Sequence, residues 1–312
     1  MNCAAKDSSD LARVAMNIGA QELDELIDSA IELLGAEKGR VGNLQIEGKL
    51  AIVAPKGEMT ILGDLHGDLE SVQYVLNNSG FMKKAPSNPD RLLIFLGDYG
   101  DRGVYSSEVY YVVLKLKELF PEQVVLMRGN HEGPNDLLAH PHDLPNHLRR
   151  KFGGDASRIY AKLRELFSLL YSGVLVKERY ILLHGGLPSQ ASTIDDIAHA
   201  HQKHPHETHL EEILWSDPVD GVKGTYPSPR GAGRLFGEDI TDRLLEMLGV
   251  KALIRGHEPS REGYKTNHHG KVITLFSRKG PPYFNEQGAY LHLNASEAPT
   301  NLRQLLRYVR RF

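Results

Sequence analysis

The chain has 312 residues, 41% hydrophobic and 25% charged, with 37 basic against 40 acidic side chains and a net charge of −3. Such a composition is that of a folded globular protein; it excludes wholesale disorder and gives no bulk attraction to nucleic acid or to an anionic membrane. The single cysteine, Cys3, excludes an intrachain disulfide and leaves a thiolate nucleophile only at the first few residues.

Residues 1 to 10 read as loose and lack the apolar core of a secretion signal, and no run of 18 apolar residues follows, so a cytoplasmic protein with no membrane partner is expected. From Gln21 to Leu34 the apolar positions Leu23, Leu26, Ile27, Ala30, Ile31 and Leu34 mark one face of a helix that stops at Gly35. Leu50 to Ala54 and Met59 to Leu62 read as strands separated by a turn at Pro55, Lys56 and Gly57. The second strand runs into Gly63-Asp64-Leu65-His66-Gly67-Asp68, and Leu69 to Leu76 continue as a helix.

Leu92 to Leu96 form an unbroken apolar run, the pattern of a strand buried on both faces, and deliver the chain to Gly97-Asp98-Tyr99-Gly100-Asp101-Arg102-Gly103. A helix from Ser106 to Phe120 and a strand from Val124 to Met127 come next, the latter ending at Arg128-Gly129-Asn130-His131-Glu132. Three strand-loop-helix units in succession predict an α/β domain with a mostly parallel or mixed sheet, whose ligands gather beyond the carboxyl ends of the strands. Residues 133 to 152 are rich in turn formers, the composition of a lid beside such a site.

A helix from Ala156 to Leu170 precedes the strand Tyr180 to Leu183, which ends at His184-Gly185-Gly186. His199, His201, His204, His206 and His209 crowd the segment that follows, but their spacing is irregular and no cysteine accompanies them, so a dedicated metal site is not expected there. Trp215-Ser216-Asp217-Pro218 and a loop holding Arg230 lead to a capped helix from Glu238 to Leu248. The strand Lys251 to Ile254 then ends at Arg255-Gly256-His257-Glu258. Val272 to Phe276 and Ala289 to Leu293 are expected to pair as a hairpin, and Asn301 to Phe312, with four arginines among leucines, reads as a charged, solvated face. Because the polar clusters run from Asp64 to His257, they belong to one domain: residues 49–312 as the catalytic unit, with 1–48 a helical extension packed on it.

Together the strand ends supply Asp64, His66, Asp98, Asn130, His184 and His257, an oxygen and nitrogen set that suits Mn²⁺, Fe or Zn²⁺ and exceeds what one tetrahedral ion requires. If one carboxylate bridges, two ions about 3.5–4 Å apart can be held, an arrangement suited to in-line displacement at phosphorus.

These motifs, over residues 50 to 295, resemble the signature set of the phosphoprotein phosphatase family of metal-dependent serine/threonine phosphatases. The resemblance implies a calcineurin-like metallophosphoesterase fold, a central β-sandwich flanked by helices with its site at the strand ends. It implies two divalent metal ions, manganese foremost in vitro with iron or zinc as the other choices, and direct attack by a bridging hydroxide on phosphoserine or phosphothreonine in protein substrates. Asp64 and His66 would hold the first ion, Asp98 would bridge, and Asn130, His184 and His257 would hold the second. His131 would be the general acid oriented by Asp101, while Arg102 and Arg230, with Asn130, would grip the phosphoryl group.

Two departures carry expectations. Gly100 replaces the family's usual apolar residue and should loosen the loop that aims Asp101 and Arg102. The run Ser277-Arg278-Lys279-Gly280-Pro281-Pro282-Tyr283 is expected to bring Tyr283 beside the site and to add the positive charge of Arg278 and Lys279 near a phosphopeptide. The alternatives are a dinucleoside tetraphosphate hydrolase of the same superfamily and a catalytically silent scaffold. Neither accounts as well for the motifs, since Gly129-Asn130-His131-Glu132 and Trp215-Ser216-Asp217-Pro218 favour the protein phosphatase branch and every candidate ligand is present.

Overall fold

The computed structural model describes residues 8–297 and 302–312; Cys3 and the start of the Asn301–Phe312 segment lie outside the described residues. Strands read as uninterrupted apolar runs are buried on both faces, and their side chains divide by the alternation of the pleat. Ala51, Val53, Val174, Val176, Leu182, Ile254, Ile273 and Leu275 face one core, whereas Leu50, Ile52, Leu175, Ile181, Leu183, Leu253 and Val272 face a second.

The sheet between those two cores has eight strands, in the order Gly39–Val41, Leu44–Glu47, Leu50–Val53, Gly173–Val176, Tyr180–Leu183, Ala252–Arg255, Val272–Leu275 and Tyr264–Asn267. Its first core is shared with a five-stranded sheet, ordered Val309–Arg311, Ala289–Asn294, Glu58–Leu62, Leu92–Phe95 and Val124–Leu126. Helices cover both outer faces. Ser8–Met16, Ala20–Ala36, Leu69–Ser79, Ser106–Leu119 and Ala156–Leu169 bury apolar side chains with the smaller sheet, while Ile194–Ala198, His209–Trp215 and Glu238–Leu248 do so on the larger. The result is the helix-flanked β-sandwich that the resemblance implied.

The first long helix buries Leu23, Leu26, Ile27, Ala30 and Leu34, with Ile31 half-buried at its margin. Each fully buried leucine or isoleucine contributes about 1.5–3 kcal/mol, enough to fix the helix on the domain. The segment before residue 49 supplies strands as well as helices, since Leu44–Glu47 pairs with Leu50–Val53 at the edge of the larger sheet. Residues 8 to 10, read as loose, begin a helix whose Leu11, Ala12 and Ala15 are buried.

One expectation about the end of the chain is corrected. Val272–Leu275 and Ala289–Asn294 are not a hairpin: the first lies between Ala252–Arg255 and Tyr264–Asn267, and the second pairs antiparallel with Glu58–Leu62 in the other sheet. Neighbourhood in sequence suggested their pairing, but the first run is flanked on both sides within the larger sheet and the second pairs over five residues with Glu58–Leu62. At the end of the chain Arg307, Arg310 and Arg311 are exposed as a charged, solvated face, and Val309–Arg311 also extends the smaller sheet beside Ala289–Asn294. Among the described residues no helix is long and apolar enough to cross a membrane.

Candidate active site

Parallel strands of both sheets release their chains toward one cleft. Glu58–Leu62, Leu92–Phe95 and Val124–Leu126 lead to Asp64, Asp98 and Asn130; from the larger sheet Tyr180–Leu183 and Ala252–Arg255 lead to His184 and His257. The two sheets are joined here by the bridges Asp64–Phe276 and Met127–Tyr171. The loops are bent sharply. His66, Asp98, Asp101, Arg102 and His257 have φ of 42°, 57°, 63°, 67° and 74°, a left-handed conformation that costs a non-glycine residue of order 1–3 kcal/mol unless its surroundings enforce it. Two glycines let backbone reach the carboxylates: a methyl group at Gly129 would stand 2.1 Å from Asp98 Oδ1, and one at Gly256 2.4 Å from Asp64 Oδ1.

Each carboxylate is held by one oxygen and turns the other inward. Asp64 Oδ1 accepts from the His257 backbone N–H at 2.8 Å, and Asp98 Oδ1 from that of His131 at 3.0 Å. The histidines do the same with their nitrogens. His66 Nδ1 donates to Gly100 O and His184 Nδ1 to Leu96 O, both at 2.9 Å, so in the neutral rings each Nε2 presents a lone pair. His66 Nε2 faces Asp64 Oδ2 at 3.6 Å and Asp98 Oδ2 at 3.4 Å. His184 Nε2 faces Asp98 Oδ2 at 3.5 Å and Asn130 Oδ1 at 3.0 Å, and His257 Nδ1 lies 3.0 Å from the same amide oxygen.

Acceptors therefore converge on acceptors, in a pocket where Asp64 Oδ2 and His257 Nε2 are buried without a hydrogen-bond partner. That arrangement calls for positive charge, and these residues fit divalent cations. The donor atoms group as His66, Asp98 and His131 on one side and Asp98, His184 and His257 on the other, with Asp98 common to both. The same field acts on protons: burial opposes a charge on His184, but Asp98 outweighs it and holds the ring up at about 9. On His66, burial is likewise outweighed by Asp64 and Asp98.

Next to the ligand set, His131 Nδ1 donates to Asp101 Oδ2 at 2.6 Å. Burial raises the Asp101 carboxyl, yet hydrogen bonds from His131 and from His142, which contacts the same oxygen, hold it well below the usual carboxylate range. Arg230 Nε donates to Asp217 Oδ2 at 2.6 Å, a contact that fixes the guanidinium through Nε and leaves both Nη groups clear of Asp217. Arg102 Nη2 donates to His140 O at 2.9 Å. Both arginines line one cleft of about 860 Å³ together with His66, Asp98, Asn130, His131, His257 and Tyr283. Tyr283 stacks on His66 with ring centroids 5.5 Å apart, so it stands beside the ligand set as expected. All eleven residues singled out from sequence thus come together around the ligand set or on its cleft wall.

Other expectations change. Gly100 does not loosen its loop, because the missing volume is filled by Tyr110, whose ring would meet a methyl group there at 2.9 Å. Tyr110 donates its hydroxyl to Glu132, and that carboxylate also accepts the backbone N–H groups of Asp98, Tyr99 and Gly129, which pins the loop from beneath. Arg278 is 5% exposed, donates to His66 O and lies over the Tyr283 ring, so its charge stands behind the site, while Lys279 is exposed. Residues 136 to 140 do flank the cleft, in keeping with their turn-rich composition. Sequence reasoning did not find His142, Tyr160 or the role of Asp217; only Asp217 stood in a recognisable motif.

Residues 59–261 match the calcineurin-like phosphoesterase family. The chain is 37% identical over 246 residues to a probable serine/threonine-protein phosphatase of Encephalitozoon cuniculi (strain GB-M1), covering 77% of this chain and 51% of that protein. To the serine/threonine-protein phosphatase 4 catalytic subunit of Saccharomyces cerevisiae it is 35% identical over 221 residues, covering 70% and 68%. It thus spans about half the length of the first relative and about two thirds of the second. Among solved structures, a protein serine/threonine phosphatase from Saccharomyces cerevisiae, described as similar to human phosphatase PP5, aligns with a TM-score of 0.72 and 26% identity. That alignment covers 95% of this chain and 89% of the other.

Proposed function

The chain belongs to the calcineurin-like phosphoesterase family, and from that premise we propose that it is a serine/threonine protein phosphatase that hydrolyses phosphomonoesters without a covalent intermediate. The observation that carries this reading is the convergence of lone pairs on Asp98 from two sides, with two arginines and a carboxylate-held histidine on the same cleft. Asp64, His66 and Asp98 would hold one divalent ion, and Asp98, Asn130, His184 and His257 a second; the donor set suits manganese, iron or zinc. When bound, such ions supply Lewis acidity toward the phosphoryl group and toward water.

The chain's own residues do the rest. Arg102 and Arg230 take phosphoryl oxygens, and Arg230 is pre-aimed because Asp217 occupies its Nε and leaves the two Nη groups for the substrate. His131 keeps Nδ1–H on Asp101, so Nε2 is its remaining nitrogen for a proton. That proton passes to the serine or threonine alkoxide as it leaves, a step an alkyl leaving group needs far more than an aryl one. Asp101 stays ionised throughout and orients the ring. Tyr283, stacked on His66, closes one side of the cleft and limits access by water.

The test is hydrolysis of a phosphothreonine peptide, with and without added Mn²⁺, alongside diadenosine tetraphosphate and 4-nitrophenyl phosphate. Metal-dependent turnover that favours the phosphopeptide over diadenosine tetraphosphate supports the reading. Preference for the dinucleotide would move the chain to a different branch of the superfamily, and turnover of none of the three would indicate a binding scaffold.

A further inference from the structure

We propose that His142, backed by Tyr160, is a positioning residue for His131: it holds the same Asp101 oxygen that the acid uses and so fixes the direction in which the acid points. The kinetic part of this inference rests on the phosphatase reading above.

Four donors saturate the Asp101 carboxylate. Oδ2 receives His131 Nδ1 at 2.6 Å and His142 Nδ1 at 2.8 Å, while Oδ1 receives the backbone N–H groups of Asp143 at 2.7 Å and Leu144 at 2.6 Å. The last two open the helix Leu144–Phe152, whose N-cap residue Asp143 makes no side-chain cap of its own. Asp101 therefore caps that helix from a distant loop, where the positive end of the helix favours its charge. Residues 142 to 144 wrap the carboxylate on every edge that His131 leaves open.

His142 is in turn fixed from behind. Its Nε2 lies 2.8 Å from the Tyr160 hydroxyl, and Tyr160 comes from the long Ala156–Leu169 helix, which packs into the main core. With Nδ1–H donating to Asp101 and Nε2 accepting from the tyrosine, a neutral His142 has both nitrogens satisfied. The series His131, Asp101, His142 and Tyr160 thus connects the mobile proton of the acid to a rigid helix. If His142 were absent, Oδ2 would keep only His131 as donor, and the two backbone N–H groups on Oδ1 alone would resist a small turn of the carboxylate that carries the His131 ring with it.

A third metal site at Asp101, His131 and His142 does not suit these contacts. Two ligands of a tetrahedral ion at its usual nitrogen or oxygen distances stand about 3.3 Å apart, whereas 2.6 and 2.8 Å are hydrogen-bond lengths.

The experiment compares wild type, His142→Leu, His142→Asn and Tyr160→Phe on a phosphothreonine peptide and on 4-nitrophenyl phosphate. For His142→Leu, kcat on the peptide should fall about tenfold with KM within about twofold, and kcat on the aryl ester should stay within about twofold. Asparagine can return a donor near the place of Nδ1 and should recover most of the loss, and Tyr160→Phe should show a smaller loss of the same kind. Independently, proton NMR of the diamagnetic zinc-loaded protein should contain, besides the Nδ1–H lines of His66 and His184 on backbone carbonyls, two imidazole Nδ1–H lines shifted further to low field by the Asp101 carboxylate, one of which disappears in His142→Leu. Equal losses on both substrates, no loss on the peptide, or both lines surviving in His142→Leu would overturn the inference. Should wild type hydrolyse neither substrate, the phosphatase reading fails and the NMR lines alone decide: two, one of them lost in the variant, uphold the contact, and one in wild type removes it.

Discussion

At the strand ends, His66 and His184 commit Nδ1–H to backbone carbonyls and turn Nε2 toward carboxylate and amide oxygens that have no proton to share. In the histidine-rich stretch of residues 199–209 the rings are oriented by nothing comparable. His204 pairs with Asp136, whose side chain is 55% exposed, and His209 with the similarly open Glu207. His199 and His201 stack on each other with unpartnered Nδ1 atoms. Burial, with Lys49 nearby, pushes His201 down to about 4. Where Asp196, Glu207 and His209 do approach one another, Lys203 already sits 2.7 Å from Asp196 and 3.4 Å from Glu207. The denser cluster of histidines is thus the poorer ligand set. What makes imidazole a ligand is the second hydrogen bond that fixes its tautomer, together with carboxylates that lack any other cation.

That contrast is broken most severely at its shared oxygen. Asp98→Ala should reduce turnover by about 10³-fold or more, beyond the loss of a single hydrogen-bond donor, and should lower the metal content. Full activity with undiminished metal would contradict the sharing of Asp98. Next in size, His131→Asn should cost about 10²–10⁴ in kcat on alkyl phosphates while metal content is unchanged, which separates an acid from a ligand. Loss of an ion in this variant would instead assign His131 to the coordination sphere, as its closeness to His66 and Asp98 permits.

Asp217→Asn should lower kcat/KM by about 10-fold, the equivalent of one charge-assisted hydrogen bond that aims Arg230. An unchanged ratio would mean that Arg230 needs no such support. A smaller effect concerns acid stability. Because the folded Asp101 carboxyl lies below its ordinary range, its contribution is complete above about pH 4 and is lost as pH falls further. The urea midpoint of Asp101→Asn should therefore approach that of wild type between pH 7 and pH 3, and a constant gap would show that ionisation is not the source. Smallest of all, joint replacement of His199, His201 and His204 by asparagine should leave metal content and kcat within about twofold of wild type. Loss of an ion there would undo the comparison.

Much of the site could be read in the sequence because fully buried parallel strands announce themselves as short apolar runs, and their ends are where polar residues gather. Asp64, Asp98, Asn130, His184 and His257 stood at such ends. The pairing of Val272–Leu275 and Ala289–Asn294 was not legible, since neither run carries a turn signal that ties it to a distant partner. His142 was also hidden: its role depends on a loop that returns to Asp101 forty-one residues away, and nothing in its own neighbourhood records that return. Gly100 misled for a related reason, because the ring that replaces its side chain comes from Tyr110 on the following helix.

A count of ions and their positions tests the shared role of Asp98 most directly. Anomalous scattering from crystals of the active protein, collected at the manganese, iron and zinc edges, should reveal two ions on either side of Asp98. One should be ligated by Asp64 and His66 and the other by Asn130, His184 and His257. A single ion per chain in a fully active preparation, or ions bound among His199, His204 and His209 with Asp98 left bare, would contradict it.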